Sequence, residues 1–264
     1  MAAEKTHPFH LVNPSPWPFV GAIAALICML GLVLFIHEQG LYLIFMGAAL
    51  MLFTMVGWWR DVLKESEDTK THTLPVQFGI KMGMALFITS EVMFFVAFFW
   101  AFFNASLFPT PPTGGVWPPK GIHPLNPFDF PYFNTLVLLL SGTTITWAHH
   151  AILGNHKKEV VWGIGFTVLL GFLFTSIQAY EYMHATFGFK EGIYATTFYM
   201  ATGFHGAHVI IGTLFLSVCW FLAYFNQFTP DHHIGLEAAA WYWHFVDVVW
   251  LFLFVFIYLW GSGI

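Results

Sequence analysis

Three sets of side chains in this 264-residue sequence could do chemistry, and each sits in apolar surroundings where an ionisable group needs a reason. Glu91 lies in Phe87-Ile88-Thr89-Ser90-Glu91-Val92-Met93-Phe94-Phe95. About fifteen residues into its helix, at 1.5 Å per residue, it stands about 22 Å along the axis, near the middle of a bilayer. Lys81 is ten residues away, too far to pair with it. A buried acid there is a candidate for protonation. It could be a proton-responsive or lipid-facing acid, or a neutral Glu bonded to a backbone carbonyl or to Ser90. The residues alone leave both open. His244 and Asp247 are three apart and share a helix face, so they can satisfy each other and bond a neighbouring helix. Metal or haem ligation would need a third ligand that nothing in the sequence places, which favours structural hydrogen bonding. His205 and His208 in Gly203-Phe204-His205-Gly206-Ala207-His208 share a face in the same way. Paired membrane histidines can hold haem when matched in depth on a facing helix. His149, His150 and His244 fall nearer the inner side, whereas His205 and His208 fall in the outer half. Structural polar roles are therefore expected for His205, His208, His244 and Asp247, with no metal site and no catalytic residue.

Two further groups lie near span ends. Glu181 and Gln178 fall near the outer end of a helix, where water is expected to reach them. Trp58-Trp59-Arg60-Asp61 closes another helix at the inner interface, the usual place for amphipathic Trp and a charge. With Lys64 and His72 it forms a small basic surface suited to an anionic phospholipid head group. Simple positioning at the interface is the other reading.

The elements that position these residues follow from composition. The chain is 58% hydrophobic, 20% aromatic and only 9% charged. A soluble domain carries about 25% charged residues, so a soluble enzyme is excluded. A net charge of −5 without a basic patch excludes a nucleic-acid partner. Cys28 and Cys219 both lie in apolar runs, which excludes a disulfide scaffold. Apolar runs long enough to span a membrane occur at about 17–36, 41–59, 76–105, 132–152, 160–184, 196–224 and 238–260. The first is too long for a signal-peptide core, and the chain is expected to enter its membrane unprocessed. All fourteen prolines avoid the span interiors, and eight lie between 109 and 131. The fold class is all-α: a polytopic membrane protein of seven transmembrane helices.

Basic residues set a direction. Lys5, Arg60, Lys64, Lys70, Lys81, Lys157 and Lys158 fall on the N-terminal side, and only Lys120 and Lys190 on the other. This bias places the N-terminus on the cytoplasmic or matrix side and the C-terminus opposite. The polar stretch 60–72, with seven charged residues in thirteen, reads as a hinge. It divides residues 1–70, with two helices and an inner-side loop, from residues 71–264, with five helices. The Pro-rich stretch 106–131 reads as an ordered outer loop.

Several motifs in order carry a resemblance. They are Val12-Asn13-Pro14-Ser15-Pro16-Trp17-Pro18, Trp58-Trp59-Arg60-Asp61-Val62, Ser90-Glu91-Val92-Met93-Phe94-Phe95 and Gly115-Val116-Trp117-Pro118-Pro119. Thr146-Trp147-Ala148-His149-His150, the segment from Ala201 to Gly212 and the segment from Trp241 to Trp250 continue the series. Nearly end to end, the chain resembles the subunit III family of cytochrome c oxidases, the haem-copper oxidases.

The resemblance implies a two-helix unit and a five-helix bundle around a cleft that holds structural phospholipids. It implies no cofactor on this chain, with haem and copper on partner subunits I and II. The expected role is accessory and non-redox: direct contact with subunit I, support of its proton uptake, and protection during turnover, in a complex that takes electrons from cytochrome c. It implies the mitochondrial inner membrane or the bacterial cytoplasmic membrane. Glu91 matches a carbodiimide-reactive carboxylate of the family, better regarded as part of the lipid environment than as an obligatory relay. Arg60, Lys64 and His72 match positions near the lipid head groups on the inner side, and the interfacial Trp59 beside them is expected to join the lipid contact. Lys64 stands where Arg is common, which keeps the charge and loses the two-pronged grip on phosphate. The sixth helix ends in Phe221-Leu222-Ala223-Tyr224-Phe225-Asn226, without the basic residue often found there, and His232 or His233 would be only a weak substitute. Subunit III of a quinol oxidase is the related alternative, although those chains commonly lack the first two helices. A haem-binding membrane cytochrome is the alternative from another class.

Overall fold

The computed structural model describes residues 8–67 and 73–263. It consists of helices α1 (Trp17–Ile36), α2 (Tyr42–Glu67), α3 (Leu74–Leu107), α4 (Phe130–Leu153), α5 (Lys157–His184), α6 (Ile193–Tyr224) and α7 (Ile234–Leu253). A π-helical segment, Phe254–Trp260, continues α7. All seven are long and apolar enough to cross a membrane, and no named strand forms among the described residues. Helices are the expected solution, because hydrocarbon offers no partner to a backbone N–H or C=O. Prolines fall where their missing N–H does no harm: Pro18 and Pro131 occupy the first turns of α1 and α4. The termini of α1, α4 and α6 close with paired bonds running back three and five residues, such as Asn155 N to Ile152 O and His156 N to Ala151 O. Asn155 and Asn226, at φ of 57° and 56°, supply the left-handed residue this closure needs.

The polar stretch starting at Arg60 differs from its sequence reading. Its first eight residues, through Glu67, continue α2. They contain neither Pro nor Gly, and once clear of an apolar surround a charged helix end is readily hydrated.

The chain divides into two compact units, Met1–Met82 and Gly83–Ile264. In the first, α1 and α2 form a close hairpin. A side chain at Gly31 would strike the backbone of Ile44, one at Gly47 the backbone of Cys28, and one at Gly57 the ring of Trp17. Small residues let two membrane helices gain dispersion contacts where no hydrophobic driving force exists between them.

In the second unit α7 is the most buried of the four spans α4–α7. Trp243 and Trp250, seven residues apart and thus on one face, tie it to α4. Trp243 Nε1 donates to Ser141 Oγ at 2.8 Å, and Trp250 Nε1 to Thr135 Oγ1 at 2.9 Å. Each hydroxyl passes its own hydrogen to a carbonyl within α4, Leu138 O at 2.6 Å and Pro131 O at 2.8 Å. The Trp243 ring lies against Gly171 of α5 and Gly212 of α6, where any Cβ would come within 2.8 and 2.9 Å of it. One indole therefore touches three helices. Around the far end of α7, Trp117 of the Pro-rich loop packs tilted against Tyr194 and edge-on to Phe102, and Thr186 Oγ1 donates to His123 O at 2.8 Å.

Gly212 and Gly203 separate two effects within one helix. Gly212→Ala is expected to lower thermal stability in detergent by about 1–3 kcal/mol, because the Trp243 ring has no room to yield. Gly203→Ala, with open space around it, is expected to be neutral or mildly stabilising. Equal effects at both positions would show that Trp243 is not seated as described.

Candidate functional site

Glu91 is bonded across the bundle to α6. Its Oε2 lies 2.9 Å from His208 Nε2. The other ring nitrogen fixes the proton count. His208 Nδ1 lies 2.6 Å from Phe204 O, an acceptor only, so Nδ1 carries a hydrogen. In a neutral ring Nε2 is then an acceptor, and Glu91 must be the acid that donates to it. In a charged ring Nε2–H donates to a carboxylate. Both arrangements hold one proton between the two groups and leave the pair with no net charge. Phe94, Phe95 and Tyr242 surround the imidazole, with ring centroids 5.0–6.4 Å away. Ser90 is turned elsewhere, its Oγ donating to Phe87 O at 2.6 Å.

The sequence reading had placed His208 in the outer half. It is the sixteenth of 32 residues in α6, and Glu91 is the eighteenth of 34 in α3. Both are mid-helix, and the discrepancy comes from α6 beginning at Ile193, three residues before the apolar run suggested. A search for depth-matched acid–His pairs, besides His–His pairs, would have found this one.

His244 and Asp247 share a face of α7, with Nδ1 3.6 Å from Asp247 Oδ2. Thr146 Oγ1 gives its hydrogen to Gly142 O at 2.9 Å. It therefore accepts from His244 Nε2–H, at 3.2 Å. The Asp247 carboxylate lies where a side chain on Gly142 would be, so this glycine makes room for an acid. His205 is buried with its ring stacked on Trp250 at 5.2 Å and edge-on to Phe174 at 5.7 Å.

Glu181 and Gln178 depart from expectation. Bulk solvent does not reach them: they are 3% and 4% exposed. Tyr258 donates its hydroxyl to Glu181 Oε1 at 2.7 Å, and Gln178 Nε2 bridges the two at 3.4 and 3.3 Å. The π-helical winding makes this contact. Eight α-helical steps from Trp250 would leave Tyr258 about 80° around the axis. Wider turns return it to the same side, with ring centroids 5.7 Å apart. No periodicity in the sequence announces such a segment.

The basic end of α2 belongs to the first unit. Trp59 is 67% exposed, and Arg60 and Lys64, one turn apart, are exposed. Asp61 faces the other way and accepts from Trp17 Nε1 at 2.6 Å. His233 in the second unit bonds Thr229 O through Nδ1 at 3.1 Å, with the His149 ring 5.9 Å away. His72 lies outside the described residues. Among the described residues no three His, Cys, Asp or Glu side chains converge as a metal site would require.

Comparison with known proteins settles the family. Residues 7–262 match the family model described as Cytochrome c oxidase subunit III. Cytochrome c oxidase subunit 3 of Squalus acanthias is 55% identical over 260 residues, 98% of this chain and 100% of the relative. That of Scyliorhinus canicula is also 55% identical, and that of Danio rerio 54%, with the same coverage. The chain belongs to the cytochrome c oxidase subunit III family. It is thus a multi-pass membrane subunit of an oxidoreductase complex of the respiratory chain, as its motifs implied. Membership covers all of the polar groups above, since the match runs from before α1 to beyond the π-helical segment.

The shared-proton pair has a direct test. Glu91→Gln keeps a hydrogen donor for His208 Nε2 and is expected to leave stability nearly unchanged. Glu91→Ala strands that nitrogen and is expected to cost about 1–3 kcal/mol. Thermal unfolding of the complex in detergent reads the difference, and equal stability of the two variants would remove the pair from the account.

Proposed function

We propose that this chain is the lipid-embedded, non-redox subunit of a cytochrome c oxidase, seated directly against subunit I, which with subunit II holds the haem and copper. In this reading it helps sustain proton uptake and protects the catalytic subunit during turnover of dioxygen to water, with cytochrome c as electron donor to the whole complex. The observation that carries it is how the interior acids and histidines are used. Glu91 is bound to His208, Glu181 to Tyr258, and His244 to Thr146, which commits them to holding helices together. The match over residues 7–262, with α1 and α2 present, favours a cytochrome c oxidase over a quinol oxidase. The excess of Lys and Arg on one side supports an N-terminus facing the matrix or cytoplasm.

Phospholipid is part of this function. Exposed Trp59, Arg60 and Lys64 at the end of α2 supply an aromatic anchor and two cations to an anionic head group. His72 and His233 are proposed as further head-group contacts, and Glu91 as a residue of the lipid environment at mid-depth. The division of the chain after residue 70 is proposed as the boundary between its two-helix and five-helix parts.

Purification in mild detergent is expected to recover this chain with oxidase subunits I and II and a haem spectrum. The isolated chain is expected to give no pyridine haemochrome, and one haem per isolated chain would overturn the proposal. Glu91→Gln is expected to retain assembly and most oxygen consumption, because the group makes no bond in the reaction. Loss of more than about 90% of turnover in an intact complex would count against it. Neutral replacements of Arg60 and Lys64 together are expected to deplete bound anionic lipid and hasten inactivation during turnover. Unchanged lipid content by mass spectrometry would remove the anchoring role.

A further inference from the structure

Six side chains in the second unit carry buried polar atoms without a hydrogen-bond partner among the described residues, Trp117 and Asp247 among them, and the other four lie close together. Asn134 Oδ1, Gln178 Oε1, Glu181 Oε2 and both ring nitrogens of His205 are enclosed and have no hydrogen-bond partner among the described residues. These residues are 0–4% exposed. They gather around two rings. The carbonyl of Phe174 accepts from Asn134 Nδ2 at 3.4 Å, and its ring meets His205; Gln178 follows one turn later on α5. Trp250 stacks on His205, donates to Thr135 beside Asn134, and touches Tyr258, which holds Glu181.

His205 could have satisfied itself as its neighbours do. His208 and His184 each aim Nδ1 at the carbonyl four residues earlier, at 2.6 and 2.9 Å. His205 does not, because its ring lies nearly flat against Trp250, at 29°. The remaining groups are rich in acceptors. Three side-chain oxygens and one imidazole nitrogen need hydrogens, while the single N–H of a neutral imidazole needs an acceptor.

We propose that these side chains form a buried hydration site, with about two ordered waters held between His205 and Asn134 and reaching toward Gln178 and Glu181. Water is the class that fits. Each molecule brings two hydrogens to an acceptor-rich set and still accepts from the imidazole N–H, and internal waters commonly make about three such bonds. A monovalent cation would serve the oxygens and leave that N–H stranded. An anion is opposed by every oxygen present. The waters complete a polar seam on α6, in which Thr202, His205 and His208 recur every three residues. Tyr182 bonds one end of the seam at Thr202, at 2.7 Å, and Glu91 the other at His208.

The test is a density map of the intact oxidase complex at a resolution where other internal waters are seen. Discrete density is expected about 2.7–3.2 Å from a His205 nitrogen and from Asn134 Oδ1. Absence of density there overturns the proposal, and so does density contacting only oxygens at shorter, cation-like distances. His205→Phe in the same complex is expected to lose that density, together with an O–H stretching band that shifts in H₂¹⁸O. Persistence of both in the variant overturns the assignment to His205. The wild-type map decides the matter if the variant does not assemble.

Discussion

A hydrocarbon surround supplies no hydrogen bonds, and this one constraint accounts for most of the second unit's internal arrangement. Every N–H, hydroxyl and carboxyl carried into α3–α7 has to find its partner on the same chain or on something the chain encloses. The indoles of Trp243 and Trp250 solve this by donating to hydroxyls that pass the bond on to a backbone carbonyl. These relays also fix the register of α7 on α4. The glycines at 171 and 212 then let α5 and α6 close on the same ring. Polar satisfaction and tight packing are here a single requirement, met by the same side chains.

The acids obey the same rule at higher stakes. A lone carboxylate at mid-membrane would be expensive. Glu91 avoids that state because the Phe204 carbonyl dictates which nitrogen of His208 faces it. Asp247 has a histidine on its own helix and a glycine opposite that yields space. A neutral pair such as Glu91 and His208 suits a subunit proposed to keep the neighbourhood of redox chemistry in order, since it adds no net charge beside a moving electron or proton.

Much of this was legible in the residues. Seven apolar runs gave seven helices, with the first run, Trp17–Ile36, matching its helix at both ends. The ordered motifs pointed to the family the chain belongs to. Legibility failed where the physics is non-local. The partner of Glu91 is 117 positions away, and its depth could be judged only once the start of α6 was known. Glu181 and Gln178 read as wetted because they stand near a helix end. Distance along a helix does not report what folds over it, and here Tyr258 and the residues around it do. The stretch after Trp59 read as a break because its charges suggested a loop, although charge alone does not stop a helix that carries no Pro or Gly.

The wide turns between Phe254 and Trp260 have a consequence for how the molecule tolerates change in length. Regular winding would carry Tyr258 away from Trp250, so the Glu181 hydroxyl contact exists only because this segment takes up more residues per turn. Removing one residue ahead of Tyr258 would let these turns tighten to a regular helix, and seven steps from Trp250 would still bring the phenol to within about 20° of the same side. The segment thus absorbs one residue that a regular helix would not need, and its loose winding keeps the phenol aimed at the acid despite that extra length.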